Sequence, residues 1–237
     1  MGYLIVYLWV ALTGVLVGMI AGHTEKRLIE EKKIFTKDII KEYKNNNLII
    51  FTIAILYVAL FYRFEFSLDF IKYATLVPML IIALTIDYKL QIIPNRLNLT
   101  IFEVGLVFAL IYGLINVNVA VDMLIGMVAG GGIFLIITLL GGLIARKEAM
   151  GFGDVKLMAG LGLFFGLRSV IMLSIISFLI GAILSIMLLL SKAKKSSEYI
   201  PFGPFIVLAT IITIFIPSDI LFVGLITVLS LGTNIRR

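Results

Sequence analysis

Long apolar segments alternate with short polar ones along most of the chain. A helix that crosses a bilayer needs about 20 mostly apolar residues. The predicted spans in the first half are 3–22, 48–62, 68–86, 97–115 and 123–144. The stretch 157–190 is too long for one crossing and contains Arg168, so we expect two helices that meet near this arginine. A further span follows at 202–216, and the apolar tail 221–231 either lies in the interface or crosses as a thin helix.

This pattern predicts an all-α, polytopic transmembrane helical bundle of about eight spans. We expect the first span to be a permanent helix, because no basic residues precede it and many spans follow. Glycines at 126, 130 and 131 have the spacing that lets helix backbones approach closely in membranes. We therefore predict that they are packing positions.

Basic residues fall in alternate gaps between the predicted spans. The segment 23–47 carries seven of them, and its acidic residues are interleaved at roughly helical spacing. Further basic residues lie in the gaps at 87–96, 145–156 and 191–195. Because cytoplasmic loops are enriched in Lys and Arg, these gaps are predicted to face the cytoplasm. The chain is then one domain, 1–237, in the cell membrane, with an amphipathic cytoplasmic loop at 23–47.

Composition supports this assignment and narrows the chemistry. Of the 237 residues, 61% are hydrophobic and 14% are charged, against about 45–50% and about 25% in soluble domains. The absence of cysteine excludes cysteine nucleophiles, disulfides and cysteine-based zinc sites, and a single histidine excludes HExxH metalloprotease chemistry. The net charge is +6, and most of the basic residues lie in predicted loops. They do not form a basic stripe interleaved with aromatic residues, so no nucleic-acid partner is expected.

Two carboxylates stand out at the predicted cytoplasmic end of the bundle. Asp87 ends the third span, and Asp154 begins the sixth within the sequence Gly151-Phe152-Gly153-Asp154. Ionisable residues at such positions are functional candidates. Two carboxylates about 3 Å apart share one proton, so one can activate water while the other protonates a carbonyl oxygen. The glycines let the backbone unwind there. This chemistry needs neither a metal nor a cofactor.

Other interpretations of the same residues remain open at this point. Asp87 could pair with Lys89 at a helix end, and Asp154 could cap its helix or pair with Lys156. His23 is expected at the interface or as a hydrogen-bonding loop residue. A proton-coupled transporter could also use two aspartates, but we find no internal repeat of the kind that such folds often show.

Three segments in order resemble the type IV prepilin peptidases, which are membrane aspartic peptidases of the GxGD class. The resemblance extends over about residues 34–216. Its residues are Asp87 with Pro94 and Asn95, then Gly151, Gly153, Asp154 and Lys156, then Pro201, Gly203 and Pro204.

The resemblance implies a function. Members of this family remove the short basic leader from type IV prepilins and pseudopilins, cutting after a glycine on the cytoplasmic side. It implies that Asp87 and Asp154 are the catalytic pair, that a prepilin or pseudopilin is the substrate, and that the lipid bilayer surrounds the enzyme. Presenilin-like GxGD proteases are the enzymatic alternative. They usually have a Tyr-Asp pair within the preceding helix, whereas here Asp87 precedes Tyr88 and ends its predicted helix.

The chain departs from the longer bacterial members at its first cytoplasmic loop. Many of those members have an extended loop with paired Cys-x-x-Cys motifs, and this chain has a short loop without cysteine. Those enzymes also methylate the new pilin N-terminus with S-adenosylmethionine. The resemblance therefore implies a cofactor-free peptidase, with S-adenosylmethionine needed only if methyltransferase activity is retained.

Overall fold

The structure, a computed structural model, describes residues 2–30, 47–145, 150–191 and 200–230. Within these ranges the chain forms eight α-helices. They are α1 (Gly2–Ile29), α2 (Asn47–Phe64), α3 (Leu68–Leu90), α4 (Asn95–Ile115), α5 (Val117–Ala145), α6 (Phe152–Leu190), α7 (Gly203–Phe215) and α8 (Ser218–Leu229). The predicted all-α class is confirmed.

Six of these helices are long and apolar enough to cross a membrane, and the count is seven if α7 and α8 form one broken span. The predicted division of 157–190 is also confirmed, because α6 is interrupted at Gly166, where φ is 72° and ψ is 178°. The backbone N–H of Leu167, just after the break, donates to Asp122 Oδ1 of α5 at 3.3 Å. The six or seven candidate spans are roughly consistent with the predicted number of about eight.

Several helix ends differ from their predicted positions. Helix α1 continues to Ile29 instead of ending at residue 22, and a single residue, Asn116, separates α4 from α5. Helix α3 extends to Leu90, so Asp87 lies within its last turn and not at its end. Gln91 then adopts a left-handed conformation, and its N–H donates to the Asp87 carbonyl at 2.8 Å. Residues 31–46 and 192–199, parts of two predicted cytoplasmic loops, lie outside the described residues.

Glycines bring α5 and α6 into close contact, as their spacing predicts. A Cβ atom built on Gly162 of α6 would overlap the Gly126 carbonyl of α5, and one built on Gly130 would lie 2.6 Å from the Met158 carbonyl oxygen. A Cβ on Gly131 would come within 3.0 Å of Ala159 Cβ. Any larger residue at the crossing would force the two backbones apart. This contact holds α6, which carries Asp154, against the rest of the bundle.

Helix α7 packs against both α3 and α6, and α4 packs against α6 and α3. The beginnings of α4, α6 and α7 and the end of α3 therefore meet at one end of the bundle, which we call the aspartate end. At the opposite end, Asp69 Oδ1 forms an ion pair with Lys72 Nζ at 2.9 Å. The same oxygen accepts a hydrogen bond from the Tyr112 hydroxyl at 2.6 Å. This cluster ties α3 to α4 far from the aspartates.

The apolar tail does not continue the direction of α7. Helices α7 and α8 are bent by 111° at a short break, and Asp219 at the start of α8 forms an ion pair with Arg168 of α6. The tail thus turns sharply at the end opposite the aspartates. Residues 231–237 lie outside the described residues.

The glycine crossing gives a direct stability prediction. We expect Gly162→Ala to lower the melting temperature in detergent, because its methyl group overlaps the α5 backbone and overpacking costs about 1–3 kcal/mol. Gly132→Ala on the neighbouring helix α5 is the matched control, since no atom lies within 4 Å of a Cβ at that glycine. Differential scanning fluorimetry of both variants checks this. Equal melting temperatures for the two variants would contradict it.

Candidate active site

Asp87 is held at the aspartate end by a backbone amide from a distant helix. The residue is 3% exposed, and its Oδ2 accepts a hydrogen bond from the Gly203 N–H at 2.9 Å. Gly203 is the first residue of α7, where a helix leaves N–H groups without partners of its own. The carboxylate therefore satisfies an amide that the helix itself cannot.

Asp154 approaches from another helix. It lies in the first turn of α6, is 3% exposed, and its backbone N–H donates to the Gly151 carbonyl at 3.1 Å. Its Oδ1 has no hydrogen-bond partner among the described residues. Asp87 and Asp154 line the same cavity of about 510 Å³. The structure thus brings the two predicted carboxylates to one cavity.

The first two motif segments contact each other at this cavity. Lys156 Nζ donates to Asn95 Oδ1 at 2.7 Å, which joins the start of α6 to the start of α4. Pro94 is the residue that precedes α4. The Gly153 backbone lies close to the neighbouring Ile93, so a Cβ built on Gly153 would be 3.2 Å from Ile93 Cβ. These contacts fix the loop after Asp87 against the sequence that contains Asp154.

The third motif segment forms the entry to α7. A Cβ built on Gly203 would lie 2.5 Å from Asp87 Oδ2, so a side chain at this position would displace the carboxylate. Pro201 is buried, and Pro204 occupies the first turn of α7, where the ring removes no helical hydrogen bond. The Phe202 ring packs against Phe178 at a centroid distance of 5.0 Å and so anchors the segment to α6.

The lysines near the aspartates have other partners. Lys89 forms an ion pair with Glu25 of α1 at 2.6 Å, and Lys156 bonds Asn95 as described above. The structure therefore contradicts the alternatives in which Lys89 pairs with Asp87 and Lys156 pairs with Asp154. Glu25 itself is 4% exposed, so this pair ties the end of α1 to the last turn of α3.

His23 is not a loop residue, so that part of its prediction is wrong. It lies buried within α1, and neither ring nitrogen has a hydrogen-bond partner among the described residues. The prediction placed α1's end at residue 22, so it treated this histidine as a loop or interfacial residue. The extra helical turns carry it into the packed part of the bundle.

Asn98 is a site residue that motif reasoning missed. It is 3% exposed, and its Nδ2 donates to the Gly153 carbonyl at 3.0 Å, one residue before Asp154. A polar residue one turn after Asn95, in a mainly apolar helix, is the sequence signal that could have identified it. Within residues 2–30, 47–145, 150–191 and 200–230, no group of three His, Asp or Glu residues is placed to hold a metal.

Comparison with known proteins identifies the segment that carries both aspartates. Residues 74–186 match the type IV leader peptidase family. This segment belongs to that family. The resemblance inferred from the three motifs is thereby confirmed. The matched leader peptidase segment contains Asp87, Asp154 and Asn98, while Gly203 of α7 lies beyond it.

Individual relatives of this leader peptidase segment share the same description, "Prepilin leader peptidase/N-methyltransferase". The Aeromonas hydrophila protein is 34% identical over 137 residues, which are 57% of this chain and 46% of the relative. The Escherichia coli (strain K12) protein is 33% identical over 129 residues, 54% of this chain and 56% of the relative. The Xanthomonas campestris protein is 31% identical over 168 residues, 70% of this chain and 57% of the relative.

The chain thus spans about half the length of the curated relatives that it matches. No solved structure gives a significant match.

The Glu25–Lys89 pair gives a prediction independent of any activity. We expect Lys89→Met to lower the free energy of unfolding by roughly 2 kcal/mol, because it leaves the buried Glu25 carboxylate without its cation. The double variant Glu25→Gln with Lys89→Met removes both charges and should regain most of this loss. Thermal unfolding of the two single variants and the double variant measures the coupling. Strictly additive effects would show that the pair does not stabilise the fold.

Proposed function

We propose that this chain is an aspartic endopeptidase of the membrane that removes the basic leader from type IV prepilins or pseudopilins. The observation that supports it is the meeting of two buried carboxylates, Asp87 and Asp154, from different helices in one cavity at the end of the bundle. The family of residues 74–186 and the names of the relatives point to the same substrate class.

The surroundings of the two carboxylates suggest a division of roles. Asp87 accepts the Gly203 N–H, and such a bond favours the charged form of a carboxylate, so we propose Asp87 as the general base. Asp154 has an Oδ1 without a partner among the described residues, and we propose it as the proton donor. Asp87 would take a proton from water as the water oxygen attacks the scissile carbonyl, and Asp154 would protonate the carbonyl oxygen.

Collapse of this tetrahedral intermediate completes the reaction. The C–N bond breaks, the proton held by Asp87 moves to the leaving amine, and the proton of the former carbonyl oxygen returns to Asp154. The products are a leader with a new carboxyl terminus and a mature protein with a new amino terminus. The pair returns to its starting state, and the proposed peptidase step uses only water, the substrate and these two side chains.

Cytoplasmic cleavage at the plasma membrane is part of the proposal. It rests on the basic residues near the aspartate end, among them Lys89, Arg96 and Lys156, because basic residues concentrate on the cytoplasmic side of membrane proteins. Prepilin leaders are basic and precede an apolar helix, so their cleavage point lies at this membrane face. A site at one end of the bundle is where such a bond would be presented.

Methylation of the new amino terminus would be a second activity that consumes S-adenosylmethionine. Beside the two carboxylates, the polar side chains that line the cavity are Gln91, Asn95 and Lys156, and the last two bond each other. The peptidase step already accounts for the two carboxylates, so we propose the peptidase and leave methylation as an outcome of the assay below.

The proposed pair is tested by isosteric substitution. We expect Asp87→Asn and Asp154→Asn each to reduce cleavage by about 10³-fold or more, because neither amide can exchange the required proton. The substrate is a prepilin peptide with a basic leader, a glycine and an apolar helix, incubated with purified protein in detergent and analysed by mass spectrometry. Asp219→Asn is the control, since this aspartate pairs with Arg168 at the opposite end of the bundle.

The same spectra report the competing outcomes. Products that appear only with S-adenosylmethionine and are heavier by one methyl group would establish methylation. Full cleavage by either Asn variant would remove that aspartate from the proposed pair. Folded wild-type protein that cleaves no prepilin sequence would favour the transporter interpretation, in which the aspartates relay protons.

The Gly203 contact provides a second test of the site. We expect Gly203→Ala to reduce cleavage by about 10²-fold, because its methyl group would push the Asp87 carboxylate from its position and small misplacements of catalytic groups are costly. Gly224→Ala is the matched control, since no atom lies within 4 Å of a Cβ at that glycine. Steady-state cleavage rates and melting temperatures separate lost activity from lost folding. A fully active Gly203→Ala would argue against the role of this amide.

A further inference from the structure

A second cavity of about 430 Å³ opens between α4 and α6 next to the aspartate cavity. We call it the α4–α6 groove. Its lining is mostly apolar, and Leu99 on its wall is 57% exposed, so the groove is open to the side of the bundle. Its lining residues are Asn95, Asn98, Leu99, Phe102, Lys156 and Ala159.

The groove is continuous with the aspartate cavity. Asn95 and Lys156 line both cavities, and the hydrogen bond between them forms the shared wall. From Asn95 to Phe102 the groove follows α4 for about two turns, or roughly 10 Å, away from the aspartate end. A molecule lying in the groove would therefore have one end beside the carboxylates and the rest within the apolar part of the bundle.

Asn98 contributes to the lining of the groove a hydrogen-bond acceptor that has no partner in the described part of the chain. Its Nδ2 donates to the Gly153 carbonyl, which identifies the other amide atom as the oxygen. This Oδ1 is buried and has no hydrogen-bond partner among the described residues. A buried acceptor without a partner is unfavourable, and Asn98 is part of the groove lining, so a ligand N–H that reached this oxygen after a small side-chain adjustment would satisfy it.

We infer that the α4–α6 groove binds the apolar helix that follows the scissile bond of the substrate. Asn98 Oδ1 would accept a hydrogen bond from a backbone N–H at the start of that helix. The first turn of a helix has N–H groups without intrahelical partners, whereas the acyl chain of a lipid has no donor, so the acceptor favours a peptide helix. This inference rests on the proposed function, because it assigns a place to the substrate of the same site.

Disulfide crosslinking tests the groove directly, since the chain has no cysteine of its own. In the Asp154→Asn background, which keeps the substrate intact, Leu99→Cys places a thiol on the groove wall. Thr100→Cys is the matched control: Thr100 is the next residue on the same helix turn, is exposed, and lines a different cavity, between α1, α3 and α4. The probe is a prepilin peptide with one cysteine in the second turn of its apolar helix, activated as a mixed disulfide with thiopyridine. The protein thiolate attacks the peptide sulfur, and thiopyridone leaves as the crosslink forms.

We expect the peptide to crosslink to Leu99→Cys at least about ten-fold faster than to Thr100→Cys, as judged by non-reducing gels. Equal rates, or faster reaction at Thr100→Cys, would overturn the inference and place the helix elsewhere. A lipid that permanently fills the groove would also leave Leu99→Cys unreacted, and that result counts against the inference as well.

Cleavage by the active enzyme separates this inference from the proposed function. We expect Leu99→Trp, which fills the groove, to reduce kcat/KM by roughly ten-fold for a substrate with the apolar helix. A peptide that ends a few residues after the cut should be processed as by wild type, and Thr100→Trp should affect neither substrate. An equal loss on both substrates would overturn the groove assignment while the peptidase stands. No cleavage by wild type would instead defeat the proposed function.

Discussion

Within the hydrocarbon of a membrane, every backbone N–H and C=O must find its partner inside the protein. Long helices meet this requirement along their length, so unpaired backbone groups occur only where helices begin, end or break. In this chain the start of α7 and the last turn of α3 lie together, and the Gly203 amide is bonded by the Asp87 carboxylate. The same constraint that forces the helical bundle thus places a polar site at its end.

Close helix packing then fixes where the second carboxylate lies. The glycine contacts between α5 and α6 leave no space for a Cβ at Gly162, and they hold α6 so that Asp154 reaches the cavity of Asp87. Asn98 and Lys156 add hydrogen bonds between α4 and the start of α6. Contacts among five helices, α3 to α7, therefore determine one pair of side chains, although the aspartates are far apart in sequence.

The site also extends beyond the segment that matches the leader peptidase family. That segment ends at residue 186, yet α7 supplies the amide that holds Asp87. The third motif, around Pro201 and Gly203, consequently has a physical role: it brings a helix start to within hydrogen-bond distance of the carboxylate. On the other side, α4 supplies both the link to Gly153 and one wall of the groove.

The sequence alone determined the all-α bundle, the break in the long sixth helix near Arg168 and the placement of Asp87 and Asp154 at one end. Hydropathy and charge act locally, so each span can be recognised without its neighbours. Only the tertiary structure decided that Lys89 pairs with Glu25, that His23 is buried, that Asn98 bonds Gly153 and that Gly203 bonds Asp87. These features depend on which helices pack together, and that choice is made by side chains distant in the chain.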